Sequence, residues 1–164
     1  METVQLKWYG PFQLETFDEY DVAEDIMGVY MLLDSEYHAA RRTWTHHALL
    51  YIGMVYNQTF LDRLKQHMLG DAVWKWIERN HRYEVTIKAA RVAVMDRERI
   101  SKPLLQDIEG LLIAVEQPPG NVQSTKTYAG QDLRIRNTRK YSSLRTIIST
   151  EDLPDSQHCV SFGC

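Results

Sequence analysis

Glu109 shares one stripe of a predicted helix with Leu105 and Leu112. A carboxylate flanked by leucines at the edge of a buried face is costly unless something cationic meets it, and this placement suits a metal ligand better than a solvated side chain. Arg63 and His67 stand one helical turn apart in the segment Thr59 to Leu69 and so share a stripe beside the apolar positions Phe60, Leu61, Leu64 and Met68. Tyr30 and Tyr51 each lie in a short apolar run that also contains a glycine. Glycine weakens a strand, so its presence marks a bulge or the close approach of another backbone or of a ligand. Between the two runs, Ser35 to His47 gathers His38, Arg41, Arg42, Trp44, His46 and His47, a mixture of cations and an aromatic ring that suits phosphate and base contact. A second basic stretch holds Lys126, Arg134, Arg136, Arg139, Lys140 and Arg145, opposed by Asp132.

These side chains need a scaffold, and the hydrophobic periodicity supplies one. Residues 26–33 and 48–55 read as two strands rich in Val, Ile, Leu and Tyr, and Tyr83 to Ala89 alternates strictly as a third, continuing through Val92 and Val94. Thr59 to Leu69 reads as a core-facing helix, and a shorter one surrounds Val73 to Arg79. Ser101-Lys102-Pro103 is a helix-start signal, with the helix running to about Glu116 before Pro118-Pro119. Residues 1–25 carry Trp8-Tyr9-Gly10-Pro11-Phe12 and an acidic stretch, and read as a leader docking its aromatics on the domain. Residues 123–150 read as a basic extension with little regular structure, and residues 151–164 as a tail.

Gly28-Val29-Tyr30 followed by Tyr51-Ile52-Gly53 resembles the paired signature of the GIY-YIG nuclease superfamily, with Val29 in place of the usual Ile. The resemblance continues in order through Arg63 and His67, the Glu109-Gly110-Leu111-Leu112-Ile113 segment, and Asn121 after Pro118-Pro119-Gly120, and so covers residues 26–122. It departs from the family in the long connection between Tyr30 and Tyr51 and in the slightly late Arg63. What it implies is an α/β (α+β) fold with a small three-stranded antiparallel sheet flanked by helices. It also implies a Mg²⁺- or Mn²⁺-dependent DNA endonuclease, with Tyr30, Tyr51, Arg63, His67, Glu109 and Asn121 as the catalytic set. In that reading Glu109 holds the metal, Arg63 clamps phosphate with its planar fork, and Tyr30 is the general base with Tyr51 positioning water or phosphate. The roles of Tyr30 and Tyr51 are interchangeable at this stage. A free tyrosine, with a pKa near 10, is a poor base at neutral pH, and His67 is the best-placed proton acceptor. Asn121 either ties the end of the Glu109 helix to the site or hydrogen-bonds a phosphate.

Composition bounds the alternatives. The chain has 164 residues, long enough for one domain with its own core, and at 44% hydrophobic and 25% charged residues it is of ordinary globular make-up. No apolar run approaches the length of a membrane span, and the start carries no signal-peptide pattern, so the expected place is the cytoplasm, away from the membrane. Cys159 and Cys164 lie together in the tail and make neither a core cross-link nor a zinc site alone. The net charge of −3 conceals an acidic first part and a basic later part. A polyanion responds to the local patch, so Arg41, Arg42, Lys126, Arg134, Arg136, Arg139 and Lys140 are the expected DNA contacts. A sequence-specific restriction-type enzyme is favoured over a repair or mobile-element nuclease, and two-strand cleavage calls for a homodimer or successive nicks. The rival reading is a catalytically inactive DNA-binding or protein-interaction module.

Overall fold

The computed structural model describes residues 1–94, 100–121, 128–139 and 144–154. Its strands are β1 (Glu2–Gln13), β2 (Met27–His38), β3 (Thr43–Tyr56), β4 (Glu84–Val94), β5 (Leu133–Thr138) and β6 (Ile147–Ser149). Its helices are α1 (Phe60–Met68), α2 (Ala72–Asn80) and α3 (Lys102–Glu116). The strands form one sheet in the order β3-β2-β4-β1-β5-β6. The β1–β5 pair is parallel and the others are antiparallel.

The expected three-stranded antiparallel sheet is therefore corrected. β3, β2 and β4 are the antiparallel trio legible from the sequence, but they are part of a curled six-stranded mixed sheet in an α+β fold. The added strands come from the two stretches read as leader and extension. β1 alternates Val4, Leu6 and Trp8 inward with Gln5 and Lys7 outward, and β5 alternates Leu133 and Ile135 with Arg134 and Arg136. Each is a half-buried strand whose outward cations mask the period of two.

Alternation gives the sheet two covered faces. On one, Val4, Leu6, Trp8, Val29, Met31, Leu33 and Ile52 pack against Leu105, Ile108, Leu111 and Leu112 of α3. That helix starts at Ser101, whose hydroxyl accepts from the Leu104 backbone, with Pro103 in its first turn. On the other face Tyr30, Leu32, Val55, Ile87 and Ala89 meet Phe60 and Leu64 of α1, Ile77 of α2, and Phe17 and Val22 from short 3-10 turns at Phe17–Glu19 and Asp21–Glu24. These helices cover β3, β2 and part of β4, while the outward residues Gln5, Lys7, Arg91, Ala93, Arg134 and Arg136 on the rest of that face stay exposed.

The connection read as a loop from Ser35 to His47 is mostly strand. β2 and β3 continue as a two-stranded arm, closed by a 3-10 turn at Ala39–Arg41 and held by the Tyr37–Trp44 ring pair at 5.1 Å. Among the described residues no helix is long and apolar enough to cross a membrane.

Candidate active site

Tyr30 and Gly53 face each other across the β2–β3 pair. A Cβ at Gly53 would overlap the Tyr30 phenol, and one at Gly28 would strike the Ala90 carbonyl and the Phe60 ring. The close approach marked by the strand glycines is thus of the protein's own backbone and rings, and Gly53 leaves the Tyr30 phenol its room.

α1 brings the next two groups. Thr59 caps it by accepting from the Asp62 backbone, and Phe60, Leu64 and His67 are its buried positions. A fully buried imidazole requires partners at both nitrogens, and His67 has them: Nε2 lies 2.6 Å from the Tyr30 hydroxyl and Nδ1 lies 2.5 Å from Asp71 Oδ2. The carboxylate only accepts, so Nδ1 carries the proton and the Nε2 lone pair receives the Tyr30 hydroxyl hydrogen. Asp71 also caps α2 by accepting from the Trp74 backbone at 2.8 Å, which fixes its side chain. Burial, helped by the nearby Arg63 charge and opposed by Asp71, holds the His67 pKa below its ordinary value, so the ring is neutral at neutral pH.

Tyr51 completes the aromatic cluster, with its ring centroid 6.1 Å from Tyr30 and 5.4 Å from His67. Burial raises the pKa of both phenols. Tyr30, only 1% exposed, is raised further by Tyr51, and Tyr51 by the Glu109 charge. Arg63 acts against both shifts, because its guanidinium faces the two phenols. Arg63 is itself oriented by a bond from Nη1 to Gln66 Oε1 at 3.1 Å, and Gln66 donates to Gln58 at 2.8 Å.

Glu109 and Asn121 are positioned by the free edge of β3. An edge strand presents unpaired backbone groups, and here successive outward residues are each taken up. The Leu50 carbonyl accepts from the Gly120 backbone at 2.8 Å. The Ile52 N–H donates to Asn121 Oδ1 at 2.9 Å, and the Ile52 carbonyl accepts from Asn121 Nδ2 at 2.8 Å. The Met54 backbone donates to the Glu109 carboxylate. Asn121 acts as an additional peptide group on that edge, with both ends of its amide engaged. Burial pushes the Glu109 carboxyl up to about 7, against the Met54 hydrogen bond and the Arg63 charge.

Tyr30, Tyr51, Arg63, His67 and Glu109 therefore converge, with Asn121 fixing the chain beside them. Asp71 escaped the sequence reading, although its place one turn after His67 and its role as the cap of the next helix were both legible. Among the described residues, the expected DNA contacts do not join the cluster. Arg41 and Arg42 lie at the tip of the β2–β3 arm, where Arg42 lines a cavity of about 320 Å³ with Pro11, Phe12, Tyr20 and Trp44. Arg134 and Arg136 project from β5, and Arg139 follows that strand. Lys126, Lys140, Cys159 and Cys164 lie outside the described residues.

The residues fit a hard divalent cation in one form only. Among the described residues no group of three or more His, Cys, Asp or Glu side chains gathers, and with Asp71 taken up by His67 and the Trp74 backbone, Glu109 is the carboxylate left to hold an ion. Mg²⁺ and Mn²⁺ accept such a site when water and phosphate oxygens supply the other positions. No protein-family model, curated protein or solved structure matches the chain.

Proposed function

We propose that this protein is a Mg²⁺- or Mn²⁺-dependent DNA endonuclease of the GIY-YIG kind, hydrolysing phosphodiester bonds with Tyr30 as general base. The observation that carries this reading is the Asp71–His67–Tyr30 hydrogen-bonded chain, which faces Arg63 beside a carboxylate that burial makes hard to ionise. Phosphodiester hydrolysis needs a proton acceptor for the attacking water, positive charge for the phosphate oxygens, and stabilisation of the departing 3′-oxygen. A cation bound at Glu109 supplies Lewis-acid stabilisation to those oxygens.

The chain's own residues do the rest. Burial keeps Tyr30 protonated at rest, so the base is a relay and not a standing phenolate. As the oxygen of water bonds to phosphorus, its proton passes to the Tyr30 oxygen while the Tyr30 proton passes to Nε2 of the neutral His67. Asp71 stabilises the imidazolium that results. The P–O3′ bond breaks and the 3′-oxygen takes a proton from solvent. Arg63, between the phenols, steadies the transient negative charge and clamps a phosphate oxygen with its planar fork. Tyr51, less buried than Tyr30, guides the phosphate at the mouth of the site. Of the two tyrosines, Tyr30 is assigned as the base because it is the one bonded to the acceptor.

The substrate on this reading is duplex DNA cut in restriction-type fashion. One such site cuts one strand, so a double-strand break takes two copies of the chain or two successive nicks. Incubation of supercoiled plasmid with and without Mg²⁺ tests the reading. Nicked and linear products that vanish with a chelator are expected. Stable DNA binding without any cleavage in Mg²⁺ or Mn²⁺ would replace it with the inactive binding module.

A further inference from the structure

Lys7 of β1 stands opposite Arg91 of β4 on one side and Thr138 of β5 on the other, and Gln5 stands opposite Arg136. All of these side chains project from the sheet face that carries Tyr30, on the part that α1 and α2 leave uncovered. Neighbouring strands are about 4.8 Å apart, and successive outward residues such as Arg134 and Arg136 are about 6.7 Å apart. Lys7, Arg91, Arg134, Arg136 and the adjacent Arg139 therefore form a stripe of cations with spacings like the steps along a nucleic-acid backbone. A groove of about 430 Å³ runs through it, lined by Gln5, Lys7, Arg91, Ala93, Thr138 and Arg139.

Acidic side chains temper this stripe without neutralising it. Asp25 takes Arg91 through Nε at 2.6 Å and Nη2 at 3.2 Å, and Tyr9 is a further partner, which fixes the guanidinium. Glu151 reaches Arg134 at only 3.8 Å, an exposed pair worth little in water. Tyr9 lies under both Lys7 and Arg91, with centroid distances of 5.7 and 5.2 Å, and steadies the two cations by contact with its ring. The Asp25 backbone carbonyl meanwhile accepts from the Phe60 N–H at the start of α1, so the residue that orients Arg91 also anchors the helix carrying Arg63 and His67.

We propose that this exposed face of β4, β1 and β5 is a track for the phosphate backbone of duplex DNA, with Lys7 and Arg91 as contacts that the basic run in the sequence did not disclose. The proposal rests on the endonuclease reading for its choice of DNA as the polyanion. Charge complementarity supports it, because among the described residues cations outnumber acids on a face that is otherwise polar. The track lies on the same side of the sheet as Tyr30, next to the part that α1 and α2 cover.

The test is the salt dependence of duplex binding, followed by anisotropy of a short labelled duplex in chelator between about 50 and 200 mM salt. Lys7→Gln and Arg136→Gln are each expected to lower the log–log slope by about 0.9, and the double variant by about 1.8. Both residues are exposed, so circular dichroism is expected to show the wild-type fold. Lys102→Gln, at the start of α3 on the opposite side of the sheet, is expected to leave the slope unchanged. An unchanged slope in the double variant overturns the track, and so does a wild-type preference for an RNA duplex of the same sequence. Slope losses as expected in a protein that never cuts plasmid leave the track standing and remove the endonuclease reading. Cleavage with an unaltered slope does the reverse.

Discussion

The Tyr30 hydroxyl donates to Nε2 of His67 across 2.6 Å, and the proton on the far side of the same ring is held by Asp71. On the proposed mechanism the arrangement makes a poor base one end of a relay, and its direction follows from the carboxylate being unable to donate.

Replacing His67 by Gln leaves an acceptor for Tyr30 but nothing that can take its proton. Cleavage is expected to fall by about 10² to 10⁴ with duplex affinity unchanged. Asp71→Asn is expected to give a loss of the same kind, because the amide can donate and so favours the tautomer with the proton on Nε2. In the proposed relay the neutral ring is the active form and its pKa is lowered from 6.5, so the acid limb that His67 gives the wild-type pH–rate profile should lie below pH 6.5. Wild-type turnover in His67→Gln would remove the relay.

Asn121 makes a separable prediction, because both ends of its amide are spent on Ile52. Asn121→Ala orphans a buried N–H and a carbonyl, each worth about 1–3 kcal/mol. Stability by urea unfolding should drop by several kcal/mol at an unchanged m-value, and DNA affinity of the folded fraction should be untouched. Unaltered stability combined with weakened DNA binding would make Asn121 a phosphate contact instead.

How far the sequence disclosed this molecule depends on which physical signal each residue carries. α3 was legible because Ser101 and Pro103 punctuate its start and its leucines keep one face, and Glu109 stood out as the exception on that face. The trio β2, β3 and β4 was legible because its runs are apolar or strictly alternating. β1 was not, because Trp8-Tyr9-Gly10-Pro11-Phe12 reads as turn and aromatics while the period of two lies in Val4, Leu6 and Trp8. β5 was hidden by its arginines, which suggested a solvated run where each is the outward partner of a buried Leu133 or Ile135. Lys7 and Arg91 could not be joined to those arginines without the strand order, which brings together residues from opposite ends of the chain.

Lys88 gives a pH dependence that does not involve the Tyr30 cluster. It is 1% exposed on the α3 side of β4, and burial lowers its pKa from 10.5 to about 8. Between those values the unfolded chain holds the proton that the folded chain has lost, so stability should rise with pH from about 8 to 10.5. The rise should be present in the wild type and absent from Lys88→Met. Thermal scans across the interval check both, and parallel curves for the two proteins would rule out Lys88 as the source.

Arg63→Lys keeps a positive charge near the phenols but loses the planar fork that faces both of them. The cleavage rate is expected to fall far more than DNA affinity, read from single-turnover rates set against anisotropy titrations. Equal losses would make Arg63 a binding residue alone.

Glu109 separates the metal-dependent enzyme from an inactive module most sharply. Burial pushes its carboxyl up to about 7, so on the proposed reading a bound cation would have to offset the cost of ionising it. Glu109→Gln keeps the shape, and its amide oxygen can still accept from the Met54 backbone, so the edge of β3 and the register of α3 should survive. In wild type, added Mg²⁺ should raise the melting temperature at pH 8, because the ion binds the folded chain alone. In the variant that rise should vanish along with cleavage, while duplex affinity holds or improves with one negative charge fewer beside the phosphate. Glu116 is the internal control: it lies two turns further along α3 and accepts from the Arg145 backbone at 3.4 Å. Glu116→Gln should keep both the Mg²⁺ response and the activity. A Glu109→Gln protein that still cuts plasmid at the wild-type rate in Mg²⁺ would move the metal away from this carboxylate and take the proposed mechanism with it.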